Sequence, residues 1–160
     1  MLDDLRYDDK KTWQLFAEGK TKGIFQLESN LGKSWAKKVA PNNIEELSAL
    51  IAIIRPGTLK AYVDGKSMTQ HYVDRKHGRE EVTYLHPILE DILKSTYGVL
   101  VYQEQSMRIA EKVAGFNLQE ADVLRKAIGK KKADLMNEVK KSFLAGAEKV
   151  GIVSREDAEQ

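Results

Sequence analysis

The residues best suited to chemistry lie in one basic stretch in the last third of the sequence. Residues 121–132 read ADVLRKAIGKKK and carry Arg125, Lys126 and three consecutive lysines, with Asp122 as the one acid. Cations gathered at a helix end attract phosphate groups, because side-chain charge and free backbone groups meet there. The same stretch also fits a solvated surface turn in which Asp122 pairs with Arg125 and Lys126 at helical spacing.

Two features of the stretch favour the phosphate interpretation. Lys130, Lys131 and Lys132 have no acid to offset them before Asp134, so their mutual repulsion favours a bound anion. Gly129 predicts a sharp turn that ends one helix and places the lysines beside the N-terminus of the next. In such a site an arginine grips phosphate with two hydrogen bonds, while lysines act as point charges.

Composition limits what else the chain can do. It has 160 residues, 42% of them hydrophobic and 31% charged, which is typical of a globular protein with a real core. The net charge is only +2, so attraction for nucleic acid would have to come from local clusters. The absence of cysteine excludes disulfides and thiolate metal sites. No apolar run approaches the ~20 residues of a membrane span, and the acidic, polar first residues are not a secretory signal. We therefore expect a soluble, cytoplasmic protein.

Other candidate chemical groups are weak. His71, His77 and His86 lack the spacing of a shared metal site, and we predict that each lies on the surface or in a loop. The adjacent aspartates at 3–4 and 8–9 diverge on any regular element, which suits helix capping better than catalysis. Neither a glycine-rich phosphate loop nor a nucleophile elbow occurs. The residues predict no metal bound by this chain and no catalysis by the chain alone.

Capping residues and apolar spacing predict a mainly α fold with a few short strands. Asn43 with Glu46, and Asn117 with Glu120, have capping-box spacing, and the first of these opens the helix most suited to the core. The predicted helices span 11–17, 29–39, 43–54, 67–76, 87–93, 103–114, 118–128 and 136–150, with another starting after Ser154. Short strands are predicted at 81–84 and 97–102, a short strand or a buried extended segment at 23–29, and a loop at 58–65.

The helix that begins after Ser154 is cut by the end of the sequence within two turns. We expect from this that residues 1–160 form a single unit that belongs to a longer chain and is truncated at both ends. No internal repeat or linker-like tract interrupts it.

Five sequence blocks in order resemble a known family. They are FQLES (25–29), LIAIIRPG (50–57), VDRKHG (73–78), TYGVLVYQEQSM (96–107) and ADVLRKAIGKKK (121–132). Together they are similar to the fingers region of bacterial replicative (C-family) DNA polymerases, the alpha subunit of DNA polymerase III. The resemblance covers nearly the whole chain.

This resemblance implies a multi-helical fingers subdomain of a DNA-directed DNA polymerase, a nucleotidyltransferase. Its partners would be primer–template DNA, deoxynucleoside triphosphates, and the palm and thumb of the same polymerase. The family's paired arginines, which hold the triphosphate, map onto Arg125 and Lys126, and here the second is lysine, which keeps the charge and loses the fork. Mg²⁺ would be held by palm aspartates that this chain lacks, so the isolated chain is expected to be inactive.

Several further residues have two interpretations. Lys130, Lys131, Lys132 and Arg55 would contact phosphate or DNA, although Arg55, Gln26 and Glu28 could instead satisfy buried backbone. Phe25 and Leu27 are predicted to lie in the core. The residues predicted to line a cleft are Tyr102, Gln103, Glu104 and Gln105, although the last three could instead cap and solubilise a helix.

The alternative function is a free-standing, non-catalytic helical module. It would bind nucleic acid or a protein partner through the same basic face, Arg125 to Lys132.

Overall fold

The computed structural model describes residues 6–130 and 133–160, with the side chain of Lys130 left out. These residues group by their contacts into two compact units. The N-terminal unit contains the described residues up to Val82 together with Ser95–Val101, and the C-terminal unit contains Thr83–Lys94 and Tyr102–Gln160. Within the described residues the architecture is mainly α-helical, as predicted, with a sheet of two short strands. The prediction of one unit within a longer chain stays a prediction.

The N-terminal unit is built from five helices and one small hairpin among its described residues. Its core contains the fully buried Leu27, Leu50, Ile53, Tyr72 and Val99. The elements are α1 (Lys10–Ala17), α2 (Asn30–Val39), α3 (Ile44–Ile53), α4 (Pro56–Lys60), β1 (Tyr62–Val63), β2 (Lys66–Ser67) and α5 (Met68–Lys76).

Side-chain caps fix where these helices begin. The Asp9 carboxylate accepts hydrogen bonds from the backbone N–H groups of Lys11 and Thr12 at the start of α1. Ser29, Asn43 and Ser67 cap α2, α3 and α5 in the same way. Each cap satisfies a backbone donor that the first helical turn leaves without a partner. The predicted helices at 11–17, 29–39, 43–54 and 67–76 are therefore confirmed.

The predicted loop at 58–65 is wrong. Pro56 opens the short helix α4, because its fixed φ suits the first helical position. The antiparallel strands β1 and β2 follow, with Tyr62 opposite Ser67 and Val63 opposite Lys66. Asp64 and Gly65 join them with φ of 48° and 78°, the left-handed pair that a two-residue hairpin turn requires.

Three predicted strands are also wrong. Residues 23–29 and 97–102 form turns and irregular chain, and 81–84 lacks regular structure. In the first segment the buried Thr21 hydroxyl donates to the Leu27 carbonyl, and in the second the Thr96 hydroxyl donates to the Val99 carbonyl at 2.7 Å. Each segment thus buries one apolar residue without a strand partner. Leu27 lies in the core as predicted, whereas Phe25 is exposed.

A buried ion pair ties the N-terminal unit together. Lys76 Nζ lies 3.2 Å from Glu46 Oε2, and only 6% and 8% of the two side chains are exposed. The Tyr97 hydroxyl donates to Glu46 Oε1 at 2.9 Å, and Lys76 also donates to the Ala40 carbonyl. Burial, together with the hydrogen bond to Glu46, raises the pKa of Tyr97 to about 12. Glu46 therefore links α3, α5 and the segment that carries Tyr97.

A second polar cluster surrounds α5, and we call it the α5 network. Its members are Lys66, His71, Asp74, Arg75, Arg79 and Glu80. His71 Nδ1 lies 2.7 Å from Glu80 Oε1, and its Nε2 lies 2.9 Å from the Val63 carbonyl. Both ring nitrogens of His71 therefore face a protein oxygen. His71 is buried, so its predicted surface position is wrong. The buried ring has a hydrogen-bond partner because the chain turns at Gly78 and brings Glu80 back beside α5.

Carboxylates of the α5 network are held in their charged forms. Burial alone would raise the pKa of Asp74, but hydrogen bonds from Lys66, Gln70 and Arg79 outweigh it and lower that pKa to about 2. Burial likewise opposes ionisation of Glu80, yet His71 and Arg75 lower its pKa below the usual range. Ionised carboxylates therefore stabilise this unit.

The C-terminal unit is a helical cluster. A 3₁₀ turn at Pro87–Leu89 leads into α6 (Glu90–Leu93), and the longer helices are α7 (Gln103–Ala114), α8 (Leu118–Lys130) and α9 (Ala133–Val150), followed by α10 (Arg155–Glu159). Its core contains Ala110, Val113, Phe116, Ala127, Val139 and Ala147. The predicted helices at 87–93, 103–114, 136–150 and after Ser154 are confirmed. Across the described residues, no helix is long and apolar enough to cross a membrane.

Candidate functional site

Helix α8 begins at a reciprocal cap. The Asn117 side-chain oxygen accepts from the backbone N–H groups of Gln119 and Glu120 at 2.9 and 3.0 Å. Glu120 Oε2 accepts from the Asn117 backbone N–H at 2.9 Å, which completes the predicted capping box. Ala121 and Ala127 are fully buried on the inner face. This register directs the cations at 125 and 126 to the solvent, as the sequence predicted.

Asp122 holds both cations at one point on that outer face. Arg125 donates to Asp122 Oδ1 from Nε at 3.0 Å and from Nη2 at 2.7 Å, and Lys126 Nζ lies 2.7 Å from Asp122 Oδ2. Hydrogen bonds from Lys126 and then Arg125 keep the pKa of Asp122 below its usual range. All three side chains are 40–52% exposed, so solvent screens these pairs and they contribute little to stability.

This arrangement is able to bind an anion. Arg125 uses one edge of its guanidinium on Asp122, and Nη1 has no protein acceptor among the residues that the structure describes. An incoming phosphate would meet two charges already gathered within one helical turn. It would have to compete with a single exposed carboxylate for them.

Comparison with known proteins decides what kind of domain carries this helix. A family model described as the bacterial DNA polymerase III alpha subunit finger domain matches residues 1–151. The chain belongs to this family.

Alpha subunits of DNA polymerase III from several bacteria are similar to this chain. DNA polymerase III subunit alpha of Aquifex aeolicus is 49% identical over 144 residues, which is 90% of this chain and 12% of that protein. The Halalkalibacterium halodurans subunit is 46% identical and the Escherichia coli subunit 42% identical, over 92% and 91% of this chain and 12% of each relative. The chain therefore spans about an eighth of the length of these relatives, and the resemblance seen in the sequence blocks is confirmed.

The turn predicted at Gly129 of the finger domain is wrong, because α8 continues to Lys130. Glycine costs roughly 1 kcal/mol in a helix but does not by itself end one. The lysine cradle that this turn would have built includes Lys131 and Lys132, which lie outside the described residues, as does the side chain of Lys130. Their contact with phosphate or DNA stays a prediction.

The remaining candidate residues lie on other elements. Arg55 is exposed at the start of α4 in the N-terminal unit, whereas Arg125 lies in the C-terminal unit. Gln105 is buried: its Oε1 accepts from the Tyr102 backbone N–H at 2.9 Å, and its Nε2 donates to the Ile92 carbonyl at 3.2 Å. That side chain therefore serves the structure of α7, as the capping interpretation requires.

Gln103 and Glu104 are exposed in the first turn of α7, and Tyr102 is half-buried just before it. Their role in lining a cleft stays a prediction. The described residues hold no group of three His, Asp or Glu side chains placed to bind a metal ion.

Sequence reasoning missed the α5 network. Its members His71 and Glu80 are nine positions apart, which matches neither helical nor strand periodicity. The one local indication was Gly78, which allows the chain to turn back along α5 and has φ of 69°.

Proposed function

We propose that this chain is the fingers portion of a replicative DNA-directed DNA polymerase, and that α8 binds the incoming deoxynucleoside triphosphate. The observation that carries the proposal is a match to the finger-domain family over residues 1–151 combined with the outward Arg125–Lys126 pair. In this proposal the partners are primer–template DNA and the palm and thumb of the same polymerase, within the cytoplasm.

The role of α8 is electrostatic. The Arg125 guanidinium would bind two phosphate oxygens at once, and Lys126 would add a point charge beside them. Because phosphoryl transfer depends on positioning and on neutralising charge that moves toward pyrophosphate, fixed cations there favour the transition state. Asp122 would hold both cations in place before the nucleotide arrives, and the triphosphate would then replace the Asp122 carboxylate as their partner.

The metal-dependent part of the reaction would lie elsewhere. Mg²⁺, held by palm aspartates, would neutralise charge on the phosphates and activate the primer hydroxyl. We propose no metal ligand in this chain.

Substitution of Arg125 tests the proposal in the whole polymerase chain. Arg125→Ala removes charge-assisted hydrogen bonds worth about 1.5–3 kcal/mol, so we expect a roughly ten- to hundredfold loss in kcat/KM for single-nucleotide incorporation. The side chain is exposed, so thermal stability should change by less than about 0.5 kcal/mol.

Arg108→Ala is the matched control, since Arg108 is an exposed arginine on α7 of the same unit. Its incorporation kinetics should equal those of the wild type. Unchanged incorporation by the Arg125 variant would refute the assignment of α8.

A further inference from the structure

The N-terminal unit displays an aromatic ring on a fixed turn. Phe25 is 78% exposed, although it lies between the half-buried Ile24 and the fully buried Leu27. Backbone hydrogen bonds from Ile24 to Thr21 and from Leu27 to Ile24 close the turn around it. Gln26 has φ of +61°, a conformation that non-glycine residues adopt only where the surroundings impose it. The ring is therefore held outward by an ordered scaffold.

Helix α2 braces this turn directly. Gly32 packs so closely that a Cβ there would lie 2.6 Å from the Gln26 carbonyl oxygen and 2.7 Å from Leu27 Cα. In the sequence Lys22 precedes the turn and Lys33 follows Gly32, so a lysine lies on each side of the segment that carries Phe25. Neither lysine has an acidic partner among the described residues.

Charge in this region is strongly one-sided. Residues 20–39 contain five lysines and one glutamate, a net charge of +4 in a chain whose total is +2. Two of these lysines have partners: Lys20 pairs with Glu18, and Lys38 lies over the Trp35 ring at 4.2 Å from its centroid. The other three have no charged partner in the part of the chain described, and they are Lys22, Lys33 and Lys37. An exposed aromatic ring in a lysine-rich segment is typical of single-strand binding surfaces, where bases stack on aromatic rings and phosphates meet cations.

We propose that Phe25, Lys22 and Lys33 form a second nucleic-acid contact that binds a single strand, with one base stacked on Phe25 and phosphates on the two lysines. This surface lies in the N-terminal unit, whereas Arg125 belongs to the C-terminal unit. A protein partner fits it less well, because lysines are depleted from the centres of protein interfaces.

Binding of fluorescein-labelled oligo(dT) to the 160-residue chain, measured by anisotropy at low salt without nucleotide, tests the proposal. We expect Phe25→Ala to weaken binding about five- to a hundredfold, which is the effect of losing one stacked base. Phe25→Trp should retain affinity, and oligo(dT) should quench the added tryptophan. Leu118→Ala is the matched control, since Leu118 is also 78% exposed but lies in the C-terminal unit.

Salt dependence tests the lysines. Each phosphate contact on a single strand contributes about 0.7 to the slope of log K against log salt concentration, so Lys22→Gln with Lys33→Gln should reduce the slope by roughly 1.4. The exposed pair Lys140→Gln with Lys141→Gln on α9 should leave it unchanged.

Two results would overturn the proposal: no binding of oligo(dT) by the wild type, or equal losses of affinity for Phe25→Ala and Leu118→Ala. Failure at Arg125 would show in nucleotide incorporation and leave this assay unaffected, so the two proposals are tested separately.

Discussion

The Glu46 carboxylate brings three polar contacts of the N-terminal unit together. It accepts from the Asn42 backbone N–H and the Tyr97 hydroxyl, each at 2.9 Å, and it pairs with Lys76. Because the charges of Glu46 and Lys76 are both buried, removal of one leaves the other without compensation. Removing one partner of this pair should therefore lower the free energy of unfolding by more than the intact pair raises it.

Lys76→Met should therefore destabilise the chain by about 3–5 kcal/mol, the usual cost of an unpaired buried charge. The double variant Lys76→Met with Glu46→Gln should recover most of that loss, since the amide keeps an oxygen for Tyr97 and carries no charge. Urea denaturation measures both. A double variant no more stable than the single one would contradict the assigned cause.

At the scale of elements, α7 and α9 owe their close approach to one glycine. A Cβ on Gly146 of α9 would collide with the carbonyl oxygen of Ala114 at the end of α7, whereas Gly129 of α8 has open space around its Cα. Phe116 and Phe143 meet nearby edge to face, with ring centroids 6.2 Å apart. The two glycines thus share a helical setting and differ in their surroundings.

Replacement by alanine should have opposite effects at the two sites. Gly146→Ala should destabilise the chain by about 1–3 kcal/mol through overpacking. Gly129→Ala should stabilise it by up to about 1 kcal/mol, since alanine is the better helix former. Urea denaturation followed by far-ultraviolet circular dichroism distinguishes them, and a Gly146→Ala variant at least as stable as the wild type would show that α7 and α9 adapt to the added methyl group.

The sequence predicted helices well and apolar segments poorly, for a physical reason. Ser29, Asn117 and Ser154 act through hydrogen bonds two or three residues away, so local sequence is enough to place them. The segments around Leu27 and Val99 are apolar because they enter a core, yet their shape depends on left-handed φ at Gln26 and Tyr97. No local pattern specifies those angles. At the site, the pairing of Asp122 with Arg125 and Lys126 was predictable from helical spacing, whereas the extension of α8 through Gly129 was not.

At the scale of the whole molecule, the N-terminal unit contains charged carboxylates that make its stability depend on pH. The α5 network places two ionised carboxylates in the N-terminal unit, and the pKa of Asp74 there is about 2. A carboxyl whose pKa is lower in the folded than in the unfolded chain adds stability above its unfolded pKa, and that stability is lost as pH falls toward the folded pKa. The N-terminal unit should therefore lose this contribution between about pH 4 and pH 2.

Tryptophan fluorescence can follow this unit alone, because Trp13 and Trp35 are the only tryptophans of the chain. Urea midpoints measured by fluorescence should fall steeply from about pH 4 to pH 2. Asp74→Asn should lower the midpoint at neutral pH and flatten its pH dependence. Parallel curves for wild type and variant would exclude Asp74 as a source of the acid sensitivity.

The inclusion of Ser95–Val101 in the N-terminal unit also affects how the chain is made. On the ribosome, synthesis through Val82 leaves Glu46 without the Tyr97 hydroxyl and the core without Val99. The first part of the C-terminal unit, Thr83–Lys94, emerges before those residues do. We therefore expect the N-terminal core to be completed only after Val101 has left the exit tunnel.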